Sequence, residues 1–194
     1  MTTTPMDLAT SSSTLRGDLP GERGDLLETL RMHRGFLRHT LTGLSEEQAR
    51  ATPTASALSV GGIVKHVVAV EKQWADFCVE GAAGAPQIDW ESIDWANPPE
   101  MFLEFQQQFV LGPDETVEGT LAAYDEVAAA TDALVANADL DLDRTWVLPA
   151  MPWFEKDGIR SVRRSLYQIV AETAQHSGHA DIIRETIDGQ TTMA

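Results

Sequence analysis

Apolar side chains recur at three- and four-residue intervals through four stretches of the chain, which is the spacing of one face of an α-helix. The first runs from about Glu22 to Leu44, with Leu26, Leu30, His33, Phe36, Leu37, Leu41 and Leu44 on its apolar face and His39 on the opposite side. Gly43 stands near its end, where helices commonly stop. The second spans about Val60 to Glu80, with Ser59 as its cap and a stripe of Val60, Ile63, Val64, Val67, Trp74, Phe77 and Cys78; His66 lies on the edge of that stripe. The third covers about Glu115 to Asn137 behind a capping Asp114, with Val117, Leu121, Tyr124, Ala128, Leu134 and Val135 turned inward. The fourth starts after Ser161 and ends at Gly189.

The connections are less regular. Ser45-Glu46-Glu47-Gln48 has the reciprocal pattern of a capping box and predicts a short helical turn. Residues 81–112 carry Trp90, Trp95, Phe102, Phe105 and Phe109 among three prolines, with a short helix expected near Pro99–Phe109. Loops of that length inside a compact domain are often functional. Residues 138–160 hold Trp146, Trp153 and Phe154, with a small hairpin turning near Gly158. The pattern predicts an all-α fold, a four-helix bundle with a long irregular connection between its second and third helices. Residues 1–20 read as a flexible Ser/Thr/Pro-rich tail and 21–194 as the bundle domain.

Two glycines, Gly61 and Gly62, open the second helix at a cost of roughly 1 kcal/mol each relative to alanine. A close approach by another backbone or by a ligand would account for them.

Composition narrows the function classes. A formal charge of −16 over 194 residues excludes the basic patch that phosphate contacts need, so no nucleic-acid partner is expected. The N-terminus has no apolar segment of the secretory kind and no run reaches the roughly 20 apolar residues of a membrane span. The one cysteine, Cys78, cannot form an intramolecular disulfide and reads as a small core residue. A cytoplasmic protein is the expectation.

Chemistry gathers on the fourth helix. Glu172 and His176 are four residues apart and share a face, and His179 follows on the same side. Each would cost free energy to bury unpaired. In a bundle, His66 can meet them if the second and fourth helices are neighbours. A His₂Glu set with an open fourth position is a catalytic zinc arrangement, and the same donors suit nickel or iron(II). Spacing alone leaves a hydrogen-bonded Glu172–His176 pair as an equal reading. Arg34 and Arg184 read as solvated surface arginines, with a substrate carboxylate as the other use. Trp146 and Trp153 are candidates to roof a pocket, and Trp74 to pack the core.

The segments SVGGIVKHV at Ser59–Val67, VEKQW at Val70–Trp74 and ETAQHSGHADIIRETIDG at Glu172–Gly189 resemble the DinB-like superfamily, and most closely an actinobacterial branch once described as a domain of unknown function. The resemblance covers roughly residues 22–190. It implies a four-helix bundle holding a divalent metal, zinc before nickel or iron, through His66, Glu172 and His176. Many relatives have His at the first position of the helix-four pair; Glu172 matches the related mycothiol-dependent maleylpyruvate isomerase instead. The resemblance further implies a metal-dependent S-transferase or isomerase that takes mycothiol as co-substrate and a small-molecule electrophile, and a homodimer, since the superfamily often dimerises. His179 and His33 are the candidate catalytic groups beside the metal. A non-catalytic metal-binding or stress-associated module is the alternative.

Overall fold

A computed structural model of the chain describes residues 19–83 and 90–192, so most of the expected tail, residues 1–18, lies outside the described residues. The molecule is mostly helical, with six α-helices and a two-stranded hairpin among the described residues. The helices are α1 (Glu22–Leu41), α2 (Glu46–Arg50), α3 (Val60–Glu80), α4 (Glu100–Gln107), α5 (Val117–Ala136) and α6 (Val162–Asp188). The strands β1 (Thr145–Val147) and β2 (Ile159–Ser161) pair antiparallel, with Trp146 opposite Arg160.

The four long helices form the frame. α6 packs on α1 and on α3, and α5 packs on those same two helices. Helices α3 and α6 are therefore neighbours, the condition under which His66 can approach the chemistry of the last helix.

Local signals place most ends. Ser45 and Gln48 cap each other reciprocally at the start of α2. The hydroxyls of Ser59 and Ser161 accept from the amides of Gly62 and Arg164, satisfying donors that a helix start leaves free. Gly189, at φ 77°, closes α6 in the left-handed conformation that glycine adopts without strain. α1 stops at Leu41, three residues short of the expected end, because Gly43 turns the chain at φ 78°. α5 starts at Val117 with Thr116, not Asp114, as its cap: the Thr116 hydroxyl accepts from the amide of Gly119. The carboxylate of Glu115, expected inside that helix, instead accepts from the amide of Gly112 and from Lys65. The hairpin turns at Asp157, which takes φ 56°, beside the expected Gly158.

Two apolar clusters fill the interior. One joins Leu26, Leu30, Val70, Phe77, Val135, Leu166 and Ile169; the other joins Leu37, Leu41, Ile63, Val64, Val67, Tyr124 and Ile183. Each fully buried aliphatic side chain stabilises the fold by roughly 1.5–3 kcal/mol. A polar layer separates the two clusters. In it Arg34, 5% exposed, bonds to the fully buried Glu71 and to Asp132 at 2.7 Å, tying α1 to α3 and α5.

Both expectations for the arginines are overturned. Arg34 belongs to that buried ion network. Arg184, 2% exposed, donates to the carbonyls of Thr40 and Thr42 at 2.9 and 2.8 Å and to Asp188. It thereby satisfies carbonyls that the C-terminal end of α1 leaves without helical partners. Neither guanidinium is at the surface or open to a substrate.

Candidate metal centre and pocket

α3 and α6 bring His66, Glu172 and His176 together. One ligand-capable atom from each lies within 4.8 Å of the others. The imidazoles of His66 and His176 meet edge to face at 4.9 Å, and His176 Nε2 lies 3.5 Å from Glu172 Oε2. The i,i+4 spacing of α6 extends the row toward the start of the helix. Arg164 donates to Gln168, and Gln168 Nε2 donates to Glu172 Oε1 at 2.8 Å, which holds the carboxylate turned toward His176.

The sequence placed His66 on the edge of its stripe; it is buried, 4% exposed. The reason is the glycine pair. A Cβ on Gly62 would lie 1.9 Å from the carbonyl oxygen of Phe109, and one on Gly61 would lie 2.7 Å from Leu111. The connection leading into α5 therefore crosses directly over the first turn of α3, held there by Lys65 and Arg50 bonding to the carbonyls of Val110 and Gly112. This close crossing lays the Phe109 ring on the His66 imidazole, with centroids 3.8 Å apart and planes within 20°.

Burial pushes the His66 pKa down to about 4, assisted by the neighbouring His176 and opposed by Glu172 and Gln108. Glu172 is held below its ordinary value by its hydrogen bond with His176 and, to a lesser degree, with Gln168, while burial opposes that shift. His66 is thus neutral and Glu172 ionised near pH 7, the protonation states a metal requires of its ligands.

The donor set fits a divalent cation on a further count. Nδ1 of His66, of His176 and of His179 are buried without a hydrogen-bond partner. Buried polar nitrogens are ordinarily paired, so this group is costly in the bare protein. Two imidazoles and one carboxylate around an open position are a donor set for zinc, and nickel or iron(II) share it.

The trio stands in the wall of a cavity of about 370 Å³. Its other walls are mainly aromatic and apolar: Trp74, Phe77, Phe105, Phe109, Met151, Trp153 and Phe154, with Gln73 and Gln168 as the neutral polar groups. Trp153 lines it as expected. Trp146 does not: its ring lies against Gly81 and its indole donates to the carbonyl of Cys78 at 3.2 Å. Trp74 both packs the core and faces the cavity.

Of the two proposed catalytic histidines, His179 adjoins the trio, its ring edge-on to His176 at 5.4 Å. His33 is not among the cavity-lining residues; its ring meets Phe36 and its carbonyl accepts from Ser177. Sequence reasoning missed Phe105, Phe109, Met151 and Gln168 as pocket residues. Gln168 was findable, since it stands four residues before Glu172 on the same face. Cys78 is buried and its thiol is pushed up to about 12 by burial, so it is a core residue.

Among the described residues no helix is long and apolar enough to cross a membrane. A family model described as mycothiol S-transferase matches residues 25–189. No curated protein matches the chain.

Proposed function

Because the chain belongs to the mycothiol S-transferase family, we propose that it is a metal-dependent transferase joining mycothiol to a small electrophile. We read the four long helices as the bundle that the DinB-like resemblance implies, with the reaction at the α3–α6 seam. The observation that carries this reading is the convergence of His66, Glu172 and His176 in the wall of a largely apolar cavity.

In this proposal His66, Glu172 and His176 hold one divalent cation, zinc first. When bound, the cation supplies Lewis acidity that lets a thiol ionise near neutral pH. The remaining work falls to the protein. Phe109 keeps water from the His66 ring, and Gln168 fixes the orientation of the Glu172 carboxylate. The apolar walls hold an uncharged electrophile and exclude competing water. The thiol gives up its proton to solvent, a bond forms from sulfur to the electrophilic carbon, and the bond from that carbon to the leaving group breaks, the leaving group departing with the electron pair. His179 is a positioning residue for His176. His33 has no role in this scheme.

The test is direct. Protein prepared without a polyhistidine tag is analysed for bound metal and assayed with mycothiol against a panel of electrophiles. About one equivalent of divalent cation is expected, lost in His66→Ala, with Glu172→Gln lowering kcat/KM by at least roughly 100-fold. Metal-free protein of full activity, or a Glu172→Gln enzyme as fast as wild type, would overturn the proposal.

A further inference from the structure

A second cavity, of about 420 Å³, adjoins the first. The two share Gln73, Phe105, Met151 and Trp153, and the stacked rings of Phe105 and Trp153, 5.6 Å apart, form part of the wall between them. The chemistry on its far side is different. Trp90 and Phe102 supply ring faces, while Lys72, Asp76, Glu104 and Gln108 supply polar groups. The Trp90 ring is preset, because its indole nitrogen donates to the carbonyl of Ala150 and its plane stacks near Trp95.

We propose that this second cavity is a subsite for a neutral, polyhydroxylated ring, and that in this enzyme it holds the sugar–cyclitol portion of the thiol co-substrate. The second half of the statement rests on the function proposed above. A sugar or cyclitol ring has apolar C–H faces that pack on aromatic rings, and a rim of hydroxyls that both donate and accept. Aromatic faces beside carboxylate acceptors, an ammonium donor and two-way amides match that combination. Charge selects further. Asp76 and Glu104 outnumber Lys72, which is already paired with Asp76 at 2.6 Å. An anionic ligand is therefore disfavoured and an uncharged polyol is not. Placement agrees as well: Phe105 lines this cavity and its ring meets that of His66 edge-on at 6.3 Å, so a ligand seated here ends beside the trio where its sulfur has to react. The shared aromatic wall leaves the first cavity to the electrophile.

Two measurements test this. The first is the ratio of kcat/KM for mycothiol to that for N-acetylcysteine, which has the thiol and lacks the polyol. Trp90→Ala is expected to lower that ratio roughly fivefold to tenfold, the loss of one aromatic contact. Glu104→Gln, a change on the solvent-facing side of α4 that removes no packing, is expected to lower it in the same direction. The second is calorimetric titration of the thiol-free N-acetylglucosaminyl-inositol fragment, whose acetamide keeps it uncharged as in the co-substrate, with inositol phosphate as the anionic comparison. Wild type should bind the fragment, Trp90→Ala should bind it at least fivefold more weakly, and the phosphate should bind less tightly than the neutral fragment. An unchanged ratio in both variants, fragment binding insensitive to Trp90, or no fragment binding to wild type overturns the subsite. Fragment binding that depends on Trp90 in a protein that conjugates no thiol would sustain the subsite and refute the transferase reading. Conjugation of mycothiol with an unchanged ratio would do the reverse.

Discussion

Replacing Gly62 by alanine tests how the histidine of α3 is buried. Helix propensity alone favours the change by about 1 kcal/mol. The surroundings oppose it: the new Cβ would lie 1.9 Å from the Phe109 carbonyl oxygen, and such contacts do not fall below 3.0 Å. The crossing segment must withdraw by about 1 Å or more, and Phe109 moves with it off the His66 ring. Overpacking of this kind costs about 1–3 kcal/mol, and the lost ring contact adds about 0.5–1.5 kcal/mol. After the propensity gain, Gly62→Ala should be destabilised by about 0.5–3.5 kcal/mol in urea unfolding, or roughly 2–4 °C of Tm per kcal/mol. Imidazole titration by NMR on metal-free protein should show the His66 pKa rising from about 4 toward its ordinary 6.5, because water reaches the ring. Gly178→Ala on α6 is the control, since nothing lies within 4 Å of a Cβ there; it should stabilise by up to about 1 kcal/mol. If Gly62→Ala is stabilised to the same degree as Gly178→Ala and the His66 titration is unmoved, the account of the glycine pair is wrong.

Other outcomes follow from the same geometry. Glu71→Leu leaves the buried Arg34 guanidinium with only Asp132 and should cost about 2–4 kcal/mol in urea unfolding; adding Arg34→Leu should recover part of that loss, which a purely steric origin would not allow. His66 is neutral in the folded protein down to about pH 4 but takes up a proton near 6.5 when unfolded, so its contribution is fully present above 6.5 and is lost as pH falls toward 4. Metal-free wild type should therefore lose up to about 3 kcal/mol more than His66→Gln across that window. Cys78, with its thiol pushed up to about 12, should resist alkylation in the native protein at pH 8 and react only at the rate of unfolding.

The helices were readable because their periodicity is long and their caps are chemically distinct. Ser59, Ser161 and Gly189 act where the sequence put them. The trio was readable for a related reason: two of its members share one helix, where spacing fixes relative position, and the third needed only that α3 and α6 be neighbours. What stayed hidden depends on contacts between distant segments. Arg34 and Arg184 looked like surface groups because a sequence does not reveal a buried partner such as Glu71 or a helix end such as Thr40. Thr116 displaced Asp114 as a cap because Glu115 is drawn toward Gly112 and Lys65. Trp146 and Trp153 looked equivalent in the same loop; only the hairpin sends one against Gly81 and the other over the cavity.

The same helix carries one polar stripe whose hydrogen bonds the fold completes and another whose imidazole nitrogens it leaves unpaired. Thr173 and Ser177 on α6 are buried, four residues apart, and belong to the polar layer between the two apolar clusters. The protein itself satisfies their hydroxyls, Thr173 donating to the carbonyl of Ile169 and Ser177 to that of Thr173 and, across to α1, to that of His33. Glu172 and His176 stand one residue earlier, rotated about a quarter turn toward α3. There the carboxylate is held by Gln168, while buried nitrogens on His66, His176 and the adjacent His179 have no protein partner. Two stripes with the same spacing, the Glu172–His176 one less deeply buried, therefore differ in whether the fold itself completes their hydrogen bonds. A helix that needed polar groups only to tolerate its buried layer would have closed both stripes. The open one faces the cavity, and it is the stripe on which the proposed chemistry depends.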